Sequence, residues 1–199
     1  MSTENIFSIK DTLLQKEDKE TMLGHKGVVL WMCGLSGSGK STLARALEND
    51  LYAKGIQTKL LDGDNLRSGI NSNLSFTNED RIENIRRAAE ISKLFVENGE
   101  VVICSLISPT KEIREQAKAI VGASDYREVF INASFEICAQ RDVKGLYKKA
   151  MAGEIKNFTG LDAPFESPES PFLELNTGES SFDDCRKELV SKVLKEIAL

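Results

Sequence analysis

The sequence predicts an α/β fold in which a parallel sheet is flanked by helices on both faces. Apolar segments typical of strands alternate with segments of helical periodicity, giving strands at 28–33, 57–62, 100–107 and 127–132 and helices at 40–54, 78–98 and 110–121. The first strand also runs through a glycine-rich turn directly into a helix. This order is typical of parallel strands, because each helix carries the chain back to the edge where the next strand starts.

Composition bounds the class of protein. A chain of 199 residues with 41% hydrophobic and 29% charged residues fits one soluble globular domain. A net charge of −5 argues against a broad nucleic-acid surface, which would need clustered Lys and Arg. The longest apolar run, 28–33, is far shorter than the ~20 residues of a membrane span. The first residues do not resemble a secretion signal, so we expect a cytoplasmic protein without nucleic-acid or membrane partners.

The four cysteines and the single histidine do not form a metal or redox motif. Cys33, Cys104, Cys138 and Cys185 are widely spaced, so we expect them to be small, reduced core residues. His25 stands in a Gly-His-Lys-Gly sequence before the first strand, which favours a surface or turn role over a catalytic one.

The two ends and one internal stretch differ from the regular alternation. Residues 1–26 are polar, with weak helical periodicity at Ile9, Leu13 and Leu14, and are predicted to be an N-terminal extension to a domain at 27–199. Residues 142–180 are predicted to form a short basic helix followed by a mobile loop, which together would make a lid. A closing helix is predicted from about 182 to 197, with Asp183 and Asp184 in its first turn.

The helix that starts at Asn78 is the best marked. Thr77, with Asp80 three residues later, suits its N-terminal cap, and Gly99 suits its C-terminal end. Tracing its apolar stripe back by one turn leads to Arg81 and Asn84, which we therefore expect to point into a binding pocket. The stripe itself consists of Ile85, Ala88, Ala89, Ser92, Phe95 and Val96.

The glycine-rich turn matches the complete phosphate-loop pattern and has the required strand before it and helix after it. We expect its backbone N–H groups to bind nucleotide phosphates, Lys40 to contact the β- and γ-phosphates, and Ser41 to supply an oxygen to Mg²⁺. The fold is therefore predicted to be of the P-loop NTPase type. The chain lacks the Asn-Lys-x-Asp sequence that selects guanine and is small for a motor, which leaves an ATP-dependent kinase of a small metabolite. The predicted nucleotide ligands are Gly34, Leu35, Ser36, Gly37, Ser38, Gly39, Lys40, Ser41 and Thr42.

A second polar segment follows the second strand. Asp62-Gly63-Asp64-Asn65-Leu66-Arg67 would lie at the carboxyl end of that strand, where open parallel sheets bind ligands. A carboxylate there can accept a proton from an attacking hydroxyl, and Arg67 can balance negative charge on the acceptor.

Five segments together resemble the adenylylsulfate kinase family, over residues 24 to about 180. They are 62–67, 80–87 (Asp-Arg-Ile-Glu-Asn-Ile-Arg-Arg), 107–109 (Ile-Ser-Pro), 141–150 and 153–160. The resemblance implies ATP with Mg²⁺ as donor and adenylyl sulfate as acceptor, with 3′-phosphoadenylyl sulfate as product. It also implies a standalone form, a homodimer and transient contact with sulfate adenylyltransferase.

The resemblance assigns roles by position. Lys40, Asp64 and Ser108 would be catalytic, and Arg141 would lie near ATP. Ser108 is left with two open roles: a phosphoserine intermediate, or acceptor binding combined with capping the helix at 110–121, of which we favour the second. The residues implied to bind the acceptor are Asp64, Asn65, Arg67, Phe76, Arg81, Asn84, Ile107, Ser108, Lys144, Asn157 and Phe158.

The sequence differs from the family in one respect, and two alternative functions stay open. Many family members carry a Trp-His pair near the dimer contact, where this chain has Asn-Ile-Phe-Ser-Ile at 5–9, so the dimer contact is in doubt. The acceptor could instead be gluconate, shikimate or a nucleoside, since the phosphate loop would look the same. A non-catalytic regulator of adenylyl sulfate synthesis is the other alternative, against which the intact Lys40, Ser41, Asp64 and Arg67 argue.

Overall fold

The computed structural model describes residues 7–199, and the expectations about the first residues and about Asn5 lie outside that range. A 3₁₀ turn at Lys10–Thr12 and α1 (Lys16–Leu23) precede β1 (Val28–Cys33). The chain then forms α2 (Lys40–Tyr52), β2 (Thr58–Asp62), α3 (Gly63–Ser68), α4 (Asn78–Val96), β3 (Val101–Ser105), α5 (Lys111–Val121) and β4 (Tyr126–Asn132). It ends with α6 (Phe135–Arg141), α7 (Leu146–Met151), β5 (Leu173–Asn176) and α8 (Phe182–Glu196).

The five strands form one sheet in the order β2-β3-β1-β4-β5, and every pair is parallel. The predicted α/β class is therefore confirmed. β1 lies in the centre and is buried along its whole length, as the unbroken apolar sequence Val-Val-Leu-Trp-Met-Cys requires of a strand covered on both faces. The phosphate loop that follows β1 consequently emerges from the middle of the sheet.

Helices cover both faces of the sheet. Side chains from alternate positions of β1, beginning with Val28, pack with α2 and α8, and those beginning with Val29 pack with α4 and α5. The apolar stripe of α4 places Ile85, Ala88 and Ala89 in the second of these cores. Two apolar cores thus hold the central strands, and they leave the carboxyl edge of the sheet free for polar residues.

The ends of α4 and the start of α8 follow local sequence signals. Thr77 accepts a hydrogen bond from the backbone of Asp80, as expected of its cap. Gly99, three residues beyond the end of α4, has a positive φ of 81° that favours glycine. Ser181 caps α8, and Asp183 and Asp184 stand in its first turn.

One expectation about the fold is wrong, and two agree only in part. The predicted mobile loop at 142–180 contains β5, which pairs with β4 from Val129 to Asn132 and is part of the sheet. The N-terminal extension contains one α-helix, α1, but the weakly periodic residues Ile9, Leu13 and Leu14 lie before it and are exposed. His25 lies in the turn between α1 and β1, as expected, but it is only 5% exposed and is not a surface residue.

Other expectations agree with the structure of the described residues. All four cysteines are buried and free. No helix within residues 7–199 has the length and apolar character of a membrane span. α1 is tied to the domain because Lys16 forms an ion pair of 2.6 Å with Asp125 and Glu20 accepts a hydrogen bond from the backbone of Gly27. α1 therefore contacts the domain that was predicted to begin at residue 27. The domain boundary itself stays a prediction.

Candidate active site

The phosphate loop joins β1 to α2 with three glycines in positive-φ conformations. Gly34 has a φ of 147°, Gly37 of 77° and Gly39 of 104°, values that side chains rarely allow. A Cβ at Gly34 would also collide with the carbonyl oxygen of Ile131. Glycine is required here because the loop must turn sharply against β4 while presenting its N–H groups at the start of α2.

Lys40 is almost completely buried beneath this loop. Its ammonium donates hydrogen bonds to the carbonyl oxygens of Gly34, at 2.9 Å, and Leu35, at 2.7 Å. Burial lowers the pKa of the Lys40 ammonium from its usual 10.5 to about 8, with nearby Lys144 lowering it further and Asp62 opposing the shift. The ammonium is thus held inside the phosphate loop.

Ser41 reaches the end of β2. Its hydroxyl donates to Asp62 Oδ2 at 2.6 Å and lies 3.1 Å from the hydroxyl of Ser105 at the end of β3. Asp62 was recognised in the sequence as part of the acidic segment but was not chosen as a site residue. The signal that could have identified it is its position as the last residue of a parallel strand next to the phosphate loop.

Residues from the C-terminal third of the sequence also hold the phosphate loop in place. Arg141, at the end of α6, donates to the carbonyl of Gly37 at 3.3 Å and to that of Thr177 at 2.6 Å. Thr177 in turn donates to the carbonyl of Ser38 at 2.7 Å. Arg141 therefore lies beside the phosphate loop, and its position near ATP stays a prediction. Thr177 was missed because no local motif surrounds it.

The predicted acceptor side begins directly after β2, in α3. Asp64, in the first turn of α3, forms an ion pair with Lys144 from the predicted lid, and both side chains are largely exposed. Asn65 beside it is exposed as well. The pair brings together a carboxylate and a cation that were predicted from segments 80 residues apart.

Phe76 and Arg67 meet on the same side. The guanidinium of Arg67 lies 4.4 Å from the centre of the Phe76 ring, a cation–π contact, and donates to the carbonyl of Ser75 at 2.7 Å. Phe76 is nevertheless 63% exposed, which leaves most of the aromatic surface free for a flat ligand.

Arg81 and Asn84 differ in what they contact. Arg81 donates to the Phe76 carbonyl at 3.0 Å, to the Thr159 hydroxyl at 3.0 Å and to the Asn157 carbonyl at 2.8 Å, so it joins α4 to the lid. Asn84 is buried, and its side-chain oxygen accepts from Asn71 at 3.0 Å. Both point inward, as the stripe of α4 predicted, but Asn84 is engaged within the protein.

The lid packs on the phosphate loop through an aromatic cluster. The hydroxyl of Tyr147 in α7 donates to the Ser36 carbonyl at 2.7 Å, and its ring meets that of Phe158 edge-on at 4.9 Å. Phe158 is buried, while Asn157 is exposed with a positive φ of 57°. Tyr147 was missed by the sequence analysis, which had placed it in a basic stretch without assigning it a role.

Ser108 does not cap α5, which corrects half of its expected role. The N-terminal cap position is Thr110, and the backbone N–H of Lys111 donates instead to Glu166 of the lid at 2.6 Å. Ser108 is buried, and its hydroxyl accepts a hydrogen bond of 3.0 Å from the indole of Trp31. Ile107 is half-buried beside it.

A cavity of about 490 Å³ lies between the end of β4 and residues 160–167 of the lid. Leu35 is the one predicted site residue in its lining, and none of the predicted acceptor ligands contributes to it. The cavity is therefore not the place where the predicted cations converge.

Comparison with known proteins decides between the kinases that this geometry allows. Residues 26–176 match the adenylylsulphate kinase family. The adenylyl-sulfate kinase of Phocaeicola vulgatus is 53% identical over 194 residues, which cover 98% of this chain and 95% of the relative. The chain belongs to the adenylylsulphate kinase family. It is therefore a P-loop kinase, as the sequence predicted.

Comparison with solved structures supports the same family. The APS kinase of Mycobacterium tuberculosis, solved with AMPPNP and APS, is 42% identical with a TM-score of 0.81, over 85% of this chain and 98% of that one. A hexameric APS kinase from Thiobacillus denitrificans is 27% identical with a TM-score of 0.66, over 87% of this chain and 30% of that one. A gluconokinase from Sinorhizobium meliloti, 17% identical with a TM-score of 0.52, shares only the fold.

Proposed function

We propose that this chain transfers the γ-phosphoryl group of ATP to the 3′-hydroxyl of adenylyl sulfate, giving 3′-phosphoadenylyl sulfate and ADP. The observation that carries the proposal is that Ser41 of the phosphate loop bonds Asp62 at the carboxyl end of β2, and that Asp62 in turn accepts from the backbone N–H of Asp64. Membership of the adenylylsulphate kinase family supports adenylyl sulfate as the acceptor.

The donor half of the reaction rests on the phosphate loop. Lys40 now bonds two loop carbonyls, and on nucleotide binding its ammonium would turn to the β- and γ-phosphate oxygens. A cation held in a buried site neutralises charge that develops on the transferring group, which is the main way in which such kinases accelerate transfer.

The residues that would hold Mg²⁺ are Ser41 and, next to it, Asp62. Both offer oxygen, which Mg²⁺ prefers, and no cluster of three acidic, histidine or cysteine ligands occurs in residues 7–199. This fits a metal that is held by one or two protein oxygens together with nucleotide phosphates and water. When bound, Mg²⁺ would supply positive charge that stabilises the charge developing during phosphoryl transfer.

The acceptor half centres on Asp64. We infer that its carboxylate orients the 3′-hydroxyl and takes its proton as transfer proceeds, while Lys144 holds that carboxylate in place. The exposed face of Phe76 would stack on the adenine, and Arg67 and Arg81 would balance the phosphosulfate charge. Asn65, Ile107, Ser108, Asn157 and Phe158 would complete the acceptor site.

Direct transfer is the mechanism that this arrangement favours. Both substrates would bind over the same sheet edge, so the hydroxyl can attack the γ-phosphorus in line without a covalent protein intermediate. We also propose, from the resemblance alone, that the protein is a cytoplasmic homodimer that contacts sulfate adenylyltransferase transiently.

The deciding experiment measures ADP release from ATP with and without adenylyl sulfate. We expect release to depend on adenylyl sulfate and to be negligible with gluconate, shikimate or adenosine in its place. Lys40→Ala serves as the control for the phosphate loop and should lower turnover at least ~10²-fold. Equal release with another acceptor would refute the assignment of the substrate.

A further inference from the structure

Behind the segment that follows β3 lies a largely buried polar cluster, formed by Trp31, Ser108, Arg114 and Glu128, of which only Ser108 has a role in the proposed reaction. Ser108 stands at the carboxyl end of β3 with a positive φ of 46°, in the left-handed region. A serine rarely adopts this conformation, and it persists only where surrounding contacts hold it. Such outliers occur preferentially in ligand-binding segments.

Two buried side chains hold Ser108 from opposite ends of the residue. The indole N–H of Trp31 donates to the Ser108 hydroxyl at 3.0 Å, and Nη1 of Arg114 donates to the Ser108 carbonyl at 2.9 Å. Trp31 belongs to the central strand β1 and Arg114 to the first turn of α5. The contacts fix both the side chain and the following peptide of Ser108.

Arg114 is itself fixed by a carboxylate. Its Nε lies 2.8 Å from Glu128 Oε1 on β4, and only 4% of the Arg114 side chain is exposed. Removing a guanidinium from water is costly, and a buried ion pair is weak evidence for a purely stabilising role. The fork of the guanidinium is instead well suited to orienting a carbonyl and a carboxylate at the same time.

We propose that Trp31, Arg114 and Glu128 are positioning residues for the acceptor. They hold the Ile107–Ser108 segment in the shape that binds adenylyl sulfate, and this inference rests on the function proposed above. Because the Ser108 oxygen already accepts a hydrogen from Trp31, its own hydrogen is directed elsewhere. Ser108 is thereby set as a hydrogen-bond donor, which suits an anionic oxygen of the acceptor.

The test compares two Arg→Lys substitutions on the full chain. Arg114→Lys keeps a cation beside Glu128 but cannot bond the carboxylate and the Ser108 carbonyl together. Arg127→Lys is the matched control, because Arg127 likewise pairs with a glutamate, Glu196 at 2.6 Å, and donates to a backbone carbonyl at 3.0 Å. It stands at the start of β4, at the end of the sheet away from the phosphate loop.

We expect Arg114→Lys to raise the KM for adenylyl sulfate roughly 5- to 30-fold, as the loss of a charge-assisted hydrogen bond would, and to leave the KM for ATP within about twofold. Arg127→Lys should change neither KM. Glu128→Gln, which preserves volume, should raise the acceptor KM in the same selective way if Arg114→Lys does not fold.

The outcomes separate the two proposals. If Arg114→Lys lowers the melting temperature but leaves both KM values unchanged, or raises both equally, the cluster is structural and the inference is overturned. Normal turnover of the wild-type protein in that case leaves the proposed function intact. Absence of acceptor-dependent ADP release from the wild-type protein would overturn the function and this inference together.

Discussion

Ser41 donates a hydrogen bond of 2.6 Å to Asp62 Oδ2, so a hydroxyl of the phosphate loop lies directly against a carboxylate at the end of β2. The contact closes a separation of 21 residues in the chain. It joins the first residues of the nucleotide helix α2 to the segment that carries the proposed acceptor base, Asp64.

The first prediction concerns this carboxylate. Asp62→Asn should raise the Mg²⁺ concentration needed for half-maximal activity about tenfold, because an amide orients Ser41 but attracts a cation less. The measurement is a Mg²⁺ titration of ADP release at saturating substrates. An unchanged Mg²⁺ requirement in this variant would show that Asp62 acts only as the cap of α3, where it accepts from the backbone of Asp64.

The second prediction follows from the lowered pKa of Lys40. In the free protein the ammonium loses its proton near pH 8, whereas bound phosphates would raise its pKa and keep it charged. Nucleotide binding then takes up a proton above pH 8, so affinity must fall as the pH rises. We expect AMPPNP to bind up to about tenfold more weakly at pH 9 than at pH 7. Calorimetry on Lys40→Met should show weaker binding without this pH dependence.

The third prediction separates proton transfer from binding. Asp64→Asn should lower the turnover number by about 10²-fold, because an amide can hold the hydroxyl but cannot take its proton. The dissociation constant for ATP should stay within about twofold of the wild-type value. A collapse of ATP affinity in Asp64→Asn would assign this carboxylate to the metal or to the structure of α3 instead.

The fourth prediction concerns Arg81, which bonds the lid at Asn157 and Thr159. Arg81→Ala should weaken adenylyl sulfate about 10- to 100-fold and ATP much less, since a charge-assisted contact is lost. Thr159→Val is the matched variant, because it removes one lid contact and keeps the guanidinium. If both variants weaken the acceptor equally, Arg81 acts by closing the lid and not by contacting the ligand.

Local signals in the sequence were sufficient for the central part of the fold. The apolar strands and the phosphate loop are continuous segments, and the caps of α4 and α8 depend on residues three apart. β5 has only four residues, Leu-Glu-Leu-Asn, and its strand conformation comes from pairing with β4. No local sequence pattern predicts that pairing.

The site could be predicted only where it is built from contiguous motifs. The contacts of Tyr147 with Ser36 and of Trp31 with Ser108 join residues far apart in sequence, and no contiguous motif indicates either of them. The cap of α5 was assigned to Ser108 from the Ser-Pro sequence, whereas Glu166 of the lid satisfies the backbone there. Tertiary contacts replaced the local interaction in that case.

The last prediction decides how Ser108 acts. Its hydroxyl accepts from Trp31, and a serine nucleophile would also need a base to take its proton. His25, the single histidine, lies in the turn before β1, at the opposite end of that strand from the phosphate loop. Ser108→Ala should therefore keep measurable turnover, with the KM for adenylyl sulfate raised roughly threefold to tenfold by the loss of one neutral hydrogen bond.

Stereochemistry provides a test of the same point that is independent of rate. A single in-line transfer inverts a chiral γ-phosphate, whereas two successive transfers through Ser108 would retain its configuration. We expect inversion in the wild-type protein and in Ser108→Ala alike. Retention, together with phosphate trapped on Ser108 at a rate that matches turnover, would establish a covalent intermediate and contradict direct transfer.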